Sequence, residues 1–195
     1  MMIDPKTLLV LFLALWFGNV TLAQAQEVKE EKKIEPEIVE LDEMTVVGLS
    51  SLVSSECNLI HQLWERFMVR ESEVKDVAIP KVGLEVSFDS KKMASKGEQE
   101  IYEFFVIVGL PVKSTVNIPE GMTYKHIPPH KYAKFVHRGP ISKIMETYNY
   151  IFNGWLPQSG QEYDLQQCEV EWYDERFKIE SEDSEFDIYI PIKDK

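Results

Sequence analysis

Apolar and polar residues alternate along several stretches of the chain, which is the pattern of strands with one buried face. One such stretch consists of Val82, Leu84, Val86 and Phe88. Another has Phe186, Ile188, Ile190 and Ile192 at alternate positions. Residues 101–108 are mostly apolar at both odd and even positions, which predicts a central strand covered on both faces. Further extended segments are predicted at 44–49, 122–136 (interrupted at Pro128 and Pro129) and 170–173.

Two other stretches have apolar residues at the spacing of a helix that buries one face. The first follows serines that can cap its N-terminus, and its apolar positions are Val53, Cys57, Ile60, Trp64 and Phe67. The second begins after Gly139, with Pro140 in its first turn. Its apolar positions are Ile141, Ile144, Met145, Tyr148, Ile151, Phe152 and Trp155. The polar, glycine-containing run 89–99 predicts a turn.

These elements follow the same order twice along the chain. Each half reads strand, helix, strand, strand, and the two halves share this pattern without measurable sequence identity. Mixed helices and hairpin-connected strands of this kind predict an α+β domain.

The N-terminus has the organisation of a secretory leader. Lys6 precedes an apolar run at 8–17, and Ala23-Gln24-Ala25 supplies the small residues of a cleavage site. We therefore expect a signal peptide at 1–25, cleavage after Ala25, and a periplasmic or secreted protein. An uncleaved anchor is the alternative. Because a membrane span needs about 20 apolar residues, no stable membrane insertion is expected after cleavage.

The remaining chain divides into a charged tether and one domain. Residues 26–36 are rich in Glu and Lys without apolar periodicity, which predicts disorder. Residues 37–195 have the length of a single domain. The formal net charge of −12 repels phosphate backbones, so we expect no nucleic-acid partner.

The cysteines and histidines indicate no metal site. Cys57 and Cys168 could pair in an oxidising compartment, but sequence alone does not show whether they meet. His126 and His130 flank two prolines and do not share a helical face. We expect neither a metal nor a cofactor.

Glu171 is the most informative candidate for chemistry. It stands between Val170 and the aromatic pair Trp172 and Tyr173, so its carboxylate lies either at a solvated strand edge or in an aromatic pocket. Strand parity places Glu171 and Tyr173 on one face and Val170 and Trp172 on the other. In a pocket, Glu171 would select for positively charged ligands.

Three motifs carry a family resemblance. They are YAKFVHRGP at Tyr132 to Pro140, WLPQSG at Trp155 to Gly160, and VEWYD at Val170 to Asp174. With these the chain resembles the GyrI-like small-molecule-binding domain, which is also the effector-binding domain of AraC- and MerR-type regulators. The resemblance runs from about 37 to 192. It implies two pseudo-symmetric β-α-β-β units that form a curved antiparallel sheet, with helices flanking a central ligand pocket.

The resemblance also implies a set of site residues. Glu171 occupies the position of a pocket glutamate that attracts lipophilic cations in drug-responsive members. Tyr173, Tyr132, Trp64 and Phe88 are the expected ligand contacts. Each has a structural alternative, since Trp64 could be a core residue and Tyr132 could cap the sheet.

Three classes of function follow from this resemblance. The first is an exported, stand-alone protein that captures hydrophobic or cationic organic molecules. The alternative is a hydrolase of reactive, cyclopropane-bearing compounds, with Glu171 as general base beside Tyr173. The third is inhibition of a protein partner, whose identity is unknown.

Overall fold

The computed structural model describes residues 35–54, 59–96 and 99–195, except for the side chains of 94–96 and 99–100. Within these ranges there are nine strands. They are β1 (Glu37–Leu41), β2 (Met44–Ser54), β3 (Gly83–Lys96), β4 (Gln99–Val112), β5 (Thr123–Ile127), β6 (His130–Arg138), β7 (Gln161–Tyr163), β8 (Glu169–Tyr173) and β9 (Glu185–Asp194).

The described helices are short and occur once in each half. Helix α1 spans Ile60–Met68, and α2 spans Ile144–Asn149. A single 3-10 turn precedes α2, and a wider π-helical stretch at Tyr150–Trp155 continues it.

Every strand pairs with its neighbours in the antiparallel sense. The order across the sheet is β1-β6-β9-β8-β3-β4-β2-β5, and β7 pairs with the end of β9. Outward from the β3–β8 pair, one side reads β3-β4-β2 and the other reads β8-β9-β6. The two β-α-β-β units are therefore related by a pseudo-twofold at the β3–β8 contact, which confirms the predicted α+β fold.

The buried positions explain why these segments form strands. Val106, Ile107 and Val108 of β4 are all fully buried, as expected for a central strand with both faces covered. In β9 the four alternating residues Phe186, Ile188, Ile190 and Ile192 are also fully buried. Burying one such side chain stabilises the fold by about 1.5 to 3 kcal/mol.

The face of the sheet that carries the helices holds two core clusters. Leu63 and Phe67 of α1 pack over Val106 and Val108, while Ile151 and its neighbours pack over β6 and β9. A third cluster, the back-face cluster, lies on the opposite face and contains Val46, Leu84, Val86, Ile107, Ile127 and Val170.

Two glycines allow β2 and β4 to approach closely. Gly48 pairs directly with Gly109, and a Cβ on Gly48 would stand 1.9 Å from the carbonyl oxygen of Val108. Since no side chain fits there, both positions require glycine. Glycine inside a strand is typical of a tight bend, which agrees with the curvature of the sheet.

The first predicted helix begins later than the apolar spacing indicated. Val53 belongs to β2, and α1 begins at Ile60. Val53 pairs with Phe104 and is buried in the same cluster as Leu63. An apolar residue at this position is compatible with the periodicity of a helix and with that of a strand. The pairing of β2 with β4 is what places Val53 in a strand.

The predicted turn at 89–99 was also wrong in extent. Strand β3 continues to Lys96 and β4 begins at Gln99, with two irregularities in their register. This part of the hairpin pairs polar residues such as Lys91 and Glu103. Without an apolar face, its sequence has no strand periodicity.

Several earlier expectations fall outside the described residues. The predicted leader, the tether up to residue 34 and Cys57 all lie there, so the question whether Cys57 meets Cys168 stays as open as the sequence left it. Cys168 is buried and its thiol is free.

Among the described helices, none is long and apolar enough to cross a membrane. Likewise, within the described ranges no three His, Cys, Asp or Glu side chains are grouped so as to hold a metal ion.

Candidate ligand-binding site

The site lies where the two halves of the sheet meet. Strands β3 and β8 run antiparallel, and Glu85 is the direct cross-strand partner of Glu171. Directly opposed residues have Cβ atoms about 4.5 to 5.5 Å apart. Both side chains are on the face that carries the helices, and only 7% of Glu171 and 8% of Glu85 is exposed.

Glu171 accepts two hydrogen bonds from tyrosine hydroxyls. The Tyr148 hydroxyl donates to Oε1 at 2.7 Å, and the Tyr173 hydroxyl donates to Oε2. Tyr148 comes from α2, whereas Tyr173 lies two residues further along β8. The predicted parity of Glu171 and Tyr173 is confirmed by this contact.

Glu85 accepts its hydrogen bond from the other helix. The Trp64 indole nitrogen, on α1, donates to Oε2 of Glu85 at 2.9 Å. The indole lies edge-on to the Tyr173 ring at 5.5 Å and above Gly83, where a Cβ would stand 3.0 Å from the indole. The absence of a side chain at Gly83 thus lets Trp64 lie against the strand.

The two carboxylates resist ionisation. Burial raises the pKa of Glu85 well above 4.5, the adjacent Glu171 raises it further, and only the Trp64 hydrogen bond lowers it. Burial also raises the pKa of Glu171, while the hydrogen bonds from Tyr173 and Tyr148 lower it. Neither carboxylate forms an ion pair with any residue that the structure describes.

The surrounding tyrosines stay protonated. Burial, followed by the charge of Glu171, raises the pKa of both Tyr148 and Tyr173 well above 10. Their hydroxyls therefore act as hydrogen-bond donors to Glu171 throughout the physiological pH range.

A third glutamate continues the same face of β8. Glu169 is two residues before Glu171 and accepts a hydrogen bond from the Tyr163 hydroxyl. Burial raises the pKa of Glu169 to about 7, with a further contribution from Glu171 and an opposing one from Tyr163. The Phe152 ring contacts Tyr163 edge-on at 5.3 Å and stacks with Tyr148 at 6.2 Å.

The structure brings together three of the five predicted site residues. Glu171, Tyr173 and Trp64 form one cluster, but Tyr132 and Phe88 lie on the opposite face of the sheet. Tyr132 is fully buried, and its hydroxyl donates to the carbonyl oxygen of Cys168 at 3.1 Å.

Phe88 packs with the back-face cluster and stacks on Phe105 at 5.8 Å, with the Lys125 ammonium 4.0 Å from the centre of the Phe88 ring. Strand parity is the reason for both placements. In β6, Phe135 pairs with Ile188, the partner of Glu171, and Tyr132 is three residues away, so it lies on the other face. In β3, Phe88 is likewise three residues from Glu85, the partner of Glu171.

Sequence reasoning missed Glu85 and Tyr148 as site residues. Glu85 is on the polar side of an alternating strand, which normally faces water, and Tyr148 is one of several residues on an apolar helical face. The one feature that could have identified Glu85 is that it is a polar residue on the helix-facing side of a central strand. Recognising this feature requires knowing that β3 pairs with β8.

The carboxylates are covered by side chains. Trp64 and Tyr148 lie directly against them, so the predicted central pocket is filled in this conformation. A surface cavity of about 320 Å³ opens nearby, at the ends of β3 and β8. It is lined by Pro80, Lys81, Val82, Asp174, Glu175 and Arg176.

The fold and the buried site define a small-molecule effector-binding domain. Residues 37–192 match the family described as "Cass2: Integron-associated effector binding protein". The chain belongs to this family, which confirms the resemblance read from its motifs.

A curated relative supports the same assignment. Over 156 residues the chain is 33% identical to the transcriptional regulator BrlR of Pseudomonas aeruginosa. The match covers 80% of this chain and 54% of the regulator. The chain thus spans about half the length of this relative.

Solved structures share the fold at low sequence identity. The integron cassette protein VCH_CASS2 of Vibrio cholerae matches with a TM-score of 0.58 and 14% identity, over 82% of this chain and 96% of that one. SAV2435, solved with bound tetraphenylphosphonium, matches with a TM-score of 0.61 and 15% identity, over 82% and 94%. The C-terminal domain of EcmrR matches with a TM-score of 0.56 and 15% identity, over 83% and 99%.

Proposed function

We propose that this domain binds lipophilic organic cations, with the positive charge held at the Glu85–Glu171 pair and aromatic rings forming the walls. One observation carries the proposal. Two carboxylates, each more than nine-tenths buried, face each other across β3 and β8 without a cationic partner among the described residues.

The physical basis is charge compensation. A buried carboxylate costs free energy unless it takes up a proton or a cation, and a second carboxylate opposite it increases that cost. A bound cation removes both penalties. The faces of Trp64, Tyr148 and Tyr173 add cation–π attraction of about 0.5 to 2 kcal/mol for each contact.

Binding requires the covering side chains to move. Trp64 and Tyr148 now donate hydrogen bonds to the two carboxylates, and a ligand cation replaces one of these donors. A net hydrogen bond to a charged group is worth about 1.5 to 3 kcal/mol. The proposal therefore predicts modest affinity and tolerance of varied ring shapes. SAV2435 has this fold and was solved with a lipophilic cation, which agrees with this ligand class.

Tryptophan fluorescence provides the test. Methyltriphenylphosphonium and triphenylphosphine oxide have similar shapes, but only the former is charged. We expect saturable quenching by the cation, reported by Trp64, and weaker binding of the neutral oxide. Glu171→Gln should reduce cation affinity by about 5- to 100-fold and leave oxide affinity unchanged. Equal losses for both compounds would show that the carboxylate charge does not select the ligand.

We also propose that the protein acts outside the cytoplasm. The support is the leader pattern at 1–25, with Lys6, the apolar run and Ala23-Gln24-Ala25. N-terminal sequencing of the protein from fractionated cells tests this directly. A mature chain beginning at Gln26 in the exported fraction is expected, and an intact Met1 in the cytosol would contradict the proposal.

A further inference from the structure

Glu169 extends the acidic site along β8. It shares a face with Glu171, because residues two apart on a strand project to the same side. At about 3.3 Å per residue, the two side chains leave the strand about 7 Å apart. Glu169 is half-buried, the Tyr163 hydroxyl is its hydrogen-bond donor, and no cation among the described residues acts on its carboxylate.

Aromatic rings line the path between these two carboxylates. Tyr148, which is bonded to Glu171, stacks nearly parallel on Phe152 with an interplanar angle of 6°. Phe152 contacts Tyr163 edge-on, and Tyr163 is bonded to Glu169. These three rings, Tyr148, Phe152 and Tyr163, form an aromatic strip parallel to β8.

Glu85 has one carboxylate oxygen that is available to a ligand. Among the residues that the structure describes, Glu85 receives a hydrogen bond only at Oε2, from Trp64. Its Oε1 has no donor among these residues and is not sealed from solvent. A ligand cation at the Glu85–Glu171 pair can therefore contact this oxygen without displacing a protein donor.

Resting on the function proposed above, we infer that the site selects elongated dications. One positive centre binds at the Glu85–Glu171 pair, the second binds at Glu169, and a flat apolar spacer lies along the aromatic strip. The two centres are separated by about 7 Å.

The competing interpretation gives Glu169 a structural role only. In that case the Tyr163 hydrogen bond fully satisfies Glu169, and a second positive charge on the ligand gains nothing. The two interpretations differ in a measurable quantity, the ratio of dication to monocation affinity.

A matched pair of permanently charged probes measures this ratio. The dication is 1,4-bis(trimethylammoniomethyl)benzene, and the monocation is (4-methylbenzyl)trimethylammonium. With the full chain, titration calorimetry should show the dication binding about ten-fold more tightly. Glu169→Gln should abolish this preference while leaving monocation affinity within about two-fold. A preference that persists in Glu169→Gln, or no preference in the parent chain, would overturn the inference.

Other variants separate this inference from the proposed function. Glu171→Gln should weaken both probes. If the parent chain shows no dication preference but binds the monocation in a Glu171-dependent way, only the inference is overturned. If the parent chain binds neither probe, both proposals are overturned.

Tyr163→Phe provides a second variant if Glu169→Gln does not fold. It removes the hydroxyl that competes for Glu169 and should retain or increase the dication preference. A decrease in that preference would contradict a binding role for Glu169. Circular dichroism of each variant establishes that it is folded.

Discussion

Glu85 of β3 stands directly opposite Glu171 of β8, and each accepts a hydrogen bond from an aromatic side chain of the helix in its own half. Trp64 of α1 donates to Glu85, and Tyr148 of α2 donates to Glu171. The pseudo-twofold of the fold thus extends to the site. Because the two carboxylates lie on either side of this axis, neither half of the domain contains the whole site.

The first prediction concerns stability against pH. The folded state raises the pKa of Glu85 and Glu171 above 4.5, so it holds more protons than the unfolded chain between pH 4.5 and the raised values. Stability is therefore expected to fall as the pH rises through this interval. Urea unfolding should show the chain about 1 to 3 kcal/mol less stable at pH 8 than at pH 5.

Glu85→Gln is the control for this pH dependence. It removes one of the opposed carboxyl groups, so the slope of stability against pH should decrease and the variant should gain relative stability at pH 8. Contributions from other titrating groups, such as His137 with its lowered pKa, are common to both proteins. An unchanged slope would show that the pair is not responsible.

The second prediction is that cation binding releases protons. The cation favours the ionised carboxylates, whereas the free site favours their protonated forms. Affinity for methyltriphenylphosphonium should therefore increase with pH between about 5 and 8. Calorimetry in two buffers of different ionisation enthalpy counts the released protons. Triphenylphosphine oxide should show no such release, and a pH-independent cation affinity would contradict the mechanism.

The third prediction isolates the indole hydrogen bond at Glu85. Trp64→Phe retains an aromatic ring but removes the donor, which should cost about 1 to 3 kcal/mol of unfolding free energy. The loss should be larger at pH 8 than at pH 5, because the donor stabilises the ionised carboxylate.

Trp155→Phe is the matched control for Trp64→Phe. Trp155 packs edge-on against Phe135 at 5.2 Å, and its substitution should cost stability equally at both pH values. If the two variants show the same pH dependence, the Trp64 hydrogen bond does not influence ionisation of Glu85.

The fourth prediction tests the back face of the sheet. Tyr132→Phe and Phe88→Leu alter residues that sequence reasoning assigned to ligand contact but that lie opposite Glu171. Cation affinity should remain within about two-fold in both variants, although Tyr132→Phe should cost about 1 kcal/mol of stability through the lost bond to Cys168. Tyr148→Phe, on the site face, should change the affinity. A large affinity loss in Tyr132→Phe would restore its predicted ligand role.

The fifth prediction addresses hydrolysis. A water molecule must reach a lone pair of Glu171 for it to act as a general base, and the Tyr148 and Tyr173 hydroxyls that donate to its two oxygens restrict this approach. We therefore expect that a cyclopropane-bearing electrophile incubated with the protein remains intact by mass spectrometry. Turnover that disappears in Glu171→Gln would contradict this expectation and support the hydrolase alternative.

Local patterns were sufficient to predict much of the fold. The alternation in β9, the doubly apolar stretch of β4 and the motifs around Tyr132 and Glu171 all reflect side-chain period and backbone requirements, which are local properties. The family, the α+β class and the repeated β-α-β-β order follow from them. The errors at Val53 and in the 89–99 run occurred where local period was ambiguous or absent.

Strand and helix periodicity alone was enough to predict that Glu171 and Tyr173 share a face and that each half contributes one helix to the domain. Which residues meet around Glu171 depends on how the strands pair in the folded protein. Glu85 lies beside Glu171 because β3 pairs with β8 in a single register, although the two residues are 86 positions apart in the sequence. Tyr132 is excluded because its side chain lies on the face of β6 that points away from the helices. Burial and the opposed charges arise from that pairing, since a carboxylate's pKa depends on neighbours in space rather than in sequence.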